Sequence, residues 1–161
     1  MANTTDPAHA GELQDLLRRG FAELSRGNTE AAAKAVAAGA ASVPGTEVIL
    51  KKGLEAGTED LLQCDGVAFG SLDSFSYMAG GLKDFFDRTY YPTQGQVTGK
   101  SYVAFLTHGG GGRAIQSIEH ICQSFNLAKV TEPVLVQGRP DAAAEEKLKA
   151  LGVALAQAAG S

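Results

Sequence analysis

Three short stretches hold the residues that could do chemistry, and each offers backbone groups more than reactive side chains. Ser25, Arg26, Gly27, Asn28 and Thr29 run straight into an Ala-rich segment. Hydroxyl, amide and glycine groups at a helix N-terminus suit a phosphate, through N–H donors and the helix dipole. Simple capping by Asn28 or Thr29 would explain the same residues. The second stretch, 71–80, sets Asp73, Ser74, Phe75, Tyr77 and Met78 among small residues. Aromatic and Met side chains on a loop can cover a flat heteroaromatic ligand while backbone groups bond its edge. The other reading turns them inward to fill the core. The third stretch is Thr107, His108, Gly109, Gly110, Gly111 and Gly112, followed by Arg113. Four consecutive glycines are costly to order, which points to a ligand lying close to bare backbone; a mobile surface lid is the alternative. His108 either contacts that ligand or is simply solvated.

Several look-alike motifs fail on context. Gly109, Gly111 and Ala114 meet a G-x-G-x-x-A spacing, but any glycine run does so, and this one follows two earlier strands instead of opening the fold. The stretch 95–101 is one residue too short for a phosphate-binding P-loop and leads into a strand. His108 and the glycines after it resemble a hydrolase oxyanion loop, yet the chain has no G-x-S-x-G turn. His9, His108 and His120 lack Cys or carboxylate neighbours at ligand spacing, so no metal is expected. Cys64 and Cys122 read as two buried, reduced thiols of a cytoplasmic protein.

The elements that must position these loops follow from patterning. At 161 residues the chain fits one domain over 1–161, with an irregular or helical extension over 1–19. Apolar residues are 44% and charged ones 20%, which excludes a disordered or fibrous class. The net charge is −4 with no basic stripe, so nucleic acid and anionic membrane are not expected partners. No apolar run is long enough to span a bilayer, and 1–10 lacks the two regions of a secretory signal. From Thr46 onward, short apolar runs alternate with helical patterns, as in a parallel sheet wrapped by helices. Strands are expected at 47–51, 66–70, 101–106 and 128–136. The continuous apolar runs Val67, Ala68, Phe69 and Val103, Ala104, Phe105, Leu106 suit strands covered on both faces.

Helices are expected from Glu30 to Ala41, through Leu82, Phe85, Phe86 and Thr89 or Tyr90, and through Ile115, Ile118, Cys122 and Phe125. Lys83 and Asp87 stand at i,i+4 on a different face of the second of these. Asp141 can cap a last helix carrying Leu148, Leu151 and Leu155. The first strand is degenerate: 12–24 reads as an amphipathic helix interrupted at Gly20, and 21–24 would be a poor strand because Glu23 is costly in a sheet centre.

In order and separation, the three loops resemble those of the flavodoxin-like FMN proteins, particularly the short flavodoxin and NAD(P)H:quinone-reductase type. The block G-S-L-D-S-F-S-Y-M-A-G-G-L-K-D-F-F-D-R-T over 70–89 is similar to that family's G-S-P-T-Y-F-G-N-M-x-G-x-L-K-x-F-x-D-R-T. Gly99, Lys100, a strand and the run 107–112 resemble its G-K, strand, T-G-G-G-G order. Asn28, Thr29 and Glu30 resemble the end of its S-x-T-G-N-T-E phosphate loop. The resemblance covers about 25–136. It implies a three-layer, doubly wound α/β fold of the flavodoxin-like type, with a parallel sheet in the order 2-1-3-4-5.

It further implies FMN at the loop ends. Ser25, Arg26, Gly27, Asn28 and Thr29 would hold the phosphate. Asp73, Ser74, Phe75, Tyr77 and Met78 would flank the isoalloxazine, and Thr107, His108, Gly109, Gly110, Gly111 and Gly112 would wrap its other edge. The flavin supplies the redox chemistry and no side chain need act as acid or base. The phosphate loop is one residue shorter than the family's, which changes its nest of N–H groups. Asp73 and Ser74 stand where the family has Thr-Tyr, removing an aromatic wall and adding a negative charge.

The expected role is therefore electron transport or NAD(P)H-dependent quinone or flavin reduction. The partner would be a redox protein or a small quinone, with a possible homo-oligomer completing the site. Two other readings use the same loops: a flavodoxin-like domain that has lost FMN and acts through protein interaction, and a module binding a different nucleotide.

Overall fold

The computed structural model describes residues 27–160. Ten elements follow in order: α1 (Asn28–Ala41), α2 (Thr58–Gln63), β1 (Gly66–Ser74), β2 (Tyr77–Met78), α3 (Gly80–Thr93), β3 (Ser101–His108), α4 (Ile115–Ser124), β4 (Ala128–Lys129), β5 (Val134–Gln137) and α5 (Ala142–Ala159). β1 and β3 pair in parallel from Gly66↔Ser101 to Leu72↔Thr107. β4 and β5 both pair in parallel with the far edge of β3, and β2 folds back antiparallel on β1.

The parallel core β1, β3 and β4/β5 corresponds to the last three strands of the expected 2-1-3-4-5 order. Its first strand, over 21–24, and the proposed extension over 1–19 lie outside the described residues. The strand expected at 47–51 is reduced to isolated bridges at Glu47 and Leu50. Ile49 is buried and anchors the segment, and one Glu47 carboxylate oxygen is buried without a partner among the described residues.

The strand expected at 128–136 is split instead of continuous. Between Tyr102↔Lys129 and Phe105↔Val134 the partner advances five residues while β3 advances three. Pro133 lies in this two-residue excess, where it needs no N–H to give to the ladder.

Along β1 and β3 the side chains alternate between two helical layers. Val67, Phe69, Tyr102, Ala104 and Leu106 face the aromatic cluster of α3 and α4. Ala68, Val103 and Phe105 face α1 and α5. The expected helical stripes are the buried ones: Leu82, Phe85, Phe86 and Thr89 on α3, Ile115, Ile118 and Cys122 on α4, and Leu148, Leu151 and Leu155 on α5. Asp141 caps α5 by accepting from the Ala144 amide at 2.8 Å, and Lys83 pairs with Asp87 at 2.6 Å.

α1 and α5 touch through their backbones. A Cβ placed on Gly152 would lie 2.0 Å from the Val36 carbonyl oxygen, and one on Gly39 would lie 1.9 Å from that of Lys149. At Gly70 a Cβ would strike the Phe105 ring at 2.0 Å, so β1 gives up a side chain to admit a large one from β3. Among the described residues no helix is long and apolar enough to cross a membrane.

Candidate functional site

Ligands of open parallel sheets sit beyond the carboxyl ends of the strands. There the structure opens a cleft of about 220 Å³. Asn28 comes from the first stretch, Leu72 and Asp73 from the second, and Thr107, His108 and Gly109 from the third. All three stretches thus meet at one place. Gly138, just beyond β5, completes the lining and was not singled out by sequence reasoning. The signal available for it was a glycine at the carboxyl end of a parallel strand.

Gly27 stands at the N-cap of α1 with a left-handed φ of 78°, a conformation that glycine adopts without strain. Among the described residues no side chain caps this helix, and Asn28 and Thr29 lie inside it beyond the N-cap, so the capping reading of those two does not hold. Asn28 lines the cleft. Thr29 is fully buried, and its hydroxyl bonds that of Thr107 at 2.6 Å, tying α1 to the end of β3. Thr29 therefore turns only its amide to the helix end, with its side chain held inside. Ser25 and Arg26 lie outside the described residues.

The second stretch is a hairpin, not an open loop. β1 continues to Ser74, four residues beyond its expected end, because Asp73 and Ser74 find partners in Met78 and Tyr77. The two turn residues, Phe75 and Ser76, have φ of 54° and 66°, the positive pair that marks a type I′ turn. Neither is a glycine, so the turn is strained and needs bracing. Asp73 braces it: one carboxylate oxygen accepts from the Ser76 amide at 2.7 Å, and the other accepts from the Ala114 amide at 3.2 Å. The Met78 amide donates to the Ser117 hydroxyl at 3.2 Å.

Two side chains expected beside a ligand point elsewhere. Met78 is 3% exposed and belongs to the core, since the pleat turns it inward. Tyr77 faces a separate groove of about 440 Å³ between α3 and α4, along with Tyr90, Tyr91 and His120. Phe75 stands fully exposed at the hairpin tip and Ser74 is half-buried.

The third stretch begins inside β3, which runs to His108 and not only to 106. Gly109, Gly110 and Gly111 have open space where a Cβ would be. Gly111 and Gly112 need their positive φ of 110° and 65°. Gly112 is buried, and a Cβ there would meet Leu135 at 2.8 Å and the His108 ring at 3.3 Å. Only the first three glycines therefore offer accessible backbone. The loop is held from β5: Gln137 donates to the Gly109 carbonyl at 3.2 Å, and the Gly138 amide to that of His108 at 2.9 Å.

His108 Nδ1 is buried without a hydrogen-bond partner among the described residues. Such an atom costs stability unless something pairs with it. Both cysteines are buried away from the cleft, and burial pushes their thiols up. No cluster of three or more His, Cys, Asp or Glu able to hold a metal occurs among the described residues.

No protein-family model matches the chain. A flavodoxin from Aquifex aeolicus (strain VF5) is 43% identical to it over 86 residues, which are 53% of this chain and 46% of that protein. The chain thus spans about half the length of that curated relative. A solved flavodoxin from the domain Archaea superposes with a TM-score of 0.79 at 22% identity, over 88% of this chain and 96% of that one. The rubredoxin oxygen:oxidoreductase of Desulfovibrio gigas gives a TM-score of 0.78 at 18% identity, over 87% of this chain but only 35% of its own. With the parallel core, the two helical layers and the cleft at the strand ends, these likenesses make the chain flavodoxin-like in both sequence and fold.

Proposed function

We propose that the chain binds FMN in the cleft at the carboxyl ends of β1 and β3 and acts as an electron-transfer protein. The observation that carries this reading is the convergence of three separated stretches on one cleft, beside the N-terminus of α1. Bound FMN would supply reversible uptake of electrons. The chain's own groups then have definite tasks. The amides of Asn28 and Thr29 at the α1 end, with Ser25 and Arg26, take the phosphate. Gly109, Gly110 and Gly111 let a ring edge lie against bare backbone. Asp73 and the hairpin form the facing wall.

The fit is partial. A volume near 220 Å³ falls below the roughly 300–1,000 Å³ that encloses a drug-sized ligand, so the ring would keep an edge in solvent. An exposed edge suits exchange of electrons with a redox protein or a small quinone. NAD(P)H as donor, a homo-oligomer and a cytoplasmic setting belong to the same reading.

Phosphate would be held by amides more than hydroxyls, because Thr29 spends its hydroxyl on Thr107. That observation favours a second reading, in which the domain has lost FMN and acts by protein interaction. The visible spectrum of the purified chain, mixed with FMN and desalted, separates the two. Retained flavin bands, with affinity falling about tenfold or more in Asn28→Asp from charge repulsion, support FMN binding. A colourless protein after desalting supports the second reading.

A further inference from the structure

We propose that the chain pairs with a second copy of itself through the groove between α3 and α4, each copy seating its Phe75 ring in the groove of the other. The homo-oligomer proposed above thereby gains an interface apart from the cleft, one that needs no FMN to form. Phe75 stands fully exposed at the hairpin tip, and its φ of 54° is one that glycine or asparagine adopts at less cost. A large ring there gains nothing from its own fold, so its gain lies in a contact outside the chain. The groove is the matching hollow. At about 440 Å³ it has twice the volume of the cleft, and Phe86, Tyr90 and Phe125 line it. Those rings pack on one another, Phe125 lying 5.6 Å from Phe86 and 5.1 Å from Tyr90, so an entering ring meets aromatic partners.

Knob and hollow adjoin, because Tyr77, two residues from Phe75, lines the groove with Tyr91. Phe75, Tyr77 and Tyr91 are three of the five large apolar side chains exposed among the described residues. A patch holding both a projection and a hollow is self-complementary about a two-fold axis, which makes the same contact twice. Charge selects a copy over another kind of partner. With a net charge of −4 two copies repel wherever unbalanced acidic surfaces meet. In the groove Lys83 and Asp87 cancel as an ion pair at 2.6 Å, so a copy can approach there without opposing like charges. The same balance offers a strongly basic or acidic partner nothing to steer it. The three exposed rings supply on the order of 400 Å² per copy, about half of the roughly 800 Å² per partner in a standard interface. With the polar lining as a rim, that makes a weak, reversible dimer.

Sedimentation equilibrium of the full, FMN-free chain over a wide range of concentration tests the inference. A monomer–dimer equilibrium is expected, with a dissociation constant on the order of 100 μM. Phe75→Asn removes the knob and Tyr91→Asp spoils the groove, and each should weaken the dimer about tenfold or more. Phe75→Asn should melt at or above the wild-type temperature in dilute solution, because asparagine accepts the left-handed turn, so its loss of pairing is not a loss of fold. An equimolar mixture of the two variants regains one of the two contacts and should pair more tightly than either variant alone. A benzophenone ring in place of Phe75 should cross-link, on illumination, to α3 or α4 of another copy. A wild-type chain that stays monomeric at every concentration overturns the proposal, as does a dimer that neither variant weakens. So does a cross-link within one chain, to 12–24 or elsewhere, which would make the groove's occupant the chain itself. None of these samples contains flavin, so the result leaves the FMN reading of the cleft to the desalting experiment alone.

Discussion

The two faces of the sheet are packed by opposite means. On one, α1 and α5 meet through Ala32, Ala33, Val36, Gly39 and Gly152, with helix backbones in contact. On the other, α3 and α4 are spaced by rings: Phe69 lies 4.9 Å from Phe86, Phe86 lies 5.6 Å from Phe125, and Phe125 lies 5.1 Å from Tyr90. Large side chains can change rotamer and absorb a small error, whereas two backbones in contact cannot. The rigid face holds α1, whose first residue, Asn28, lines the cleft. The aromatic face supports a hairpin whose position is then set by Asp73 and Ser117. Precision is thus supplied by backbone contact on one side and by polar ties on the other.

Gly152→Val should break this contrast if it is wrong. Its branched side chain must force α1 from α5, at a cost of about 3 kcal/mol in urea unfolding. Phe86→Leu, a larger change in shape on the aromatic face, should cost only about 1 kcal/mol because its neighbours can close in. Equal losses for the two variants would mean that both faces pack alike. At the rim of the rigid face, Thr107→Val leaves the buried Thr29 hydroxyl unpaired and should cost about 1–2 kcal/mol. The double variant Thr29→Val, Thr107→Val should recover most of that loss, and a double variant worse than the single would show that the hydroxyl pair is net stabilising.

The smallest effect concerns Tyr102 on the aromatic face and appears only in alkali. Burial first, and then the nearby Cys122 and Glu119, push its phenol up to about 12 from an ordinary value of 10. The folded value is the higher one, so the stability this residue contributes is complete below pH 10. It declines as the pH rises toward 12. Near-ultraviolet absorbance should show one tyrosine ionising after the exposed ones, and a single shared transition would show that Tyr102 is reached by solvent.

Much of this was legible along the chain. The two-sided burial of β1 and β3, the stripes on α3, α4 and α5, the Asp141 cap and the Lys83–Asp87 pair all depend on residues a few positions apart. Composition and spacing therefore determine them directly. The three stretches around the cleft were legible for a related reason: Gly and small polar residues mark where strands give way to helices.

Tertiary structure decided the rest. Whether Met78 turns in and Tyr77 turns toward the α3–α4 groove depends on hairpin register, and a shift of one residue reverses both. That Thr29 binds Thr107 and does not cap its own helix depends on a partner 78 positions away. The need for Gly39 and Gly152 appears only once two helices cross. Local sequence determines which element forms and which face is apolar; only the assembled sheet decides what each face, and each polar atom, finally meets.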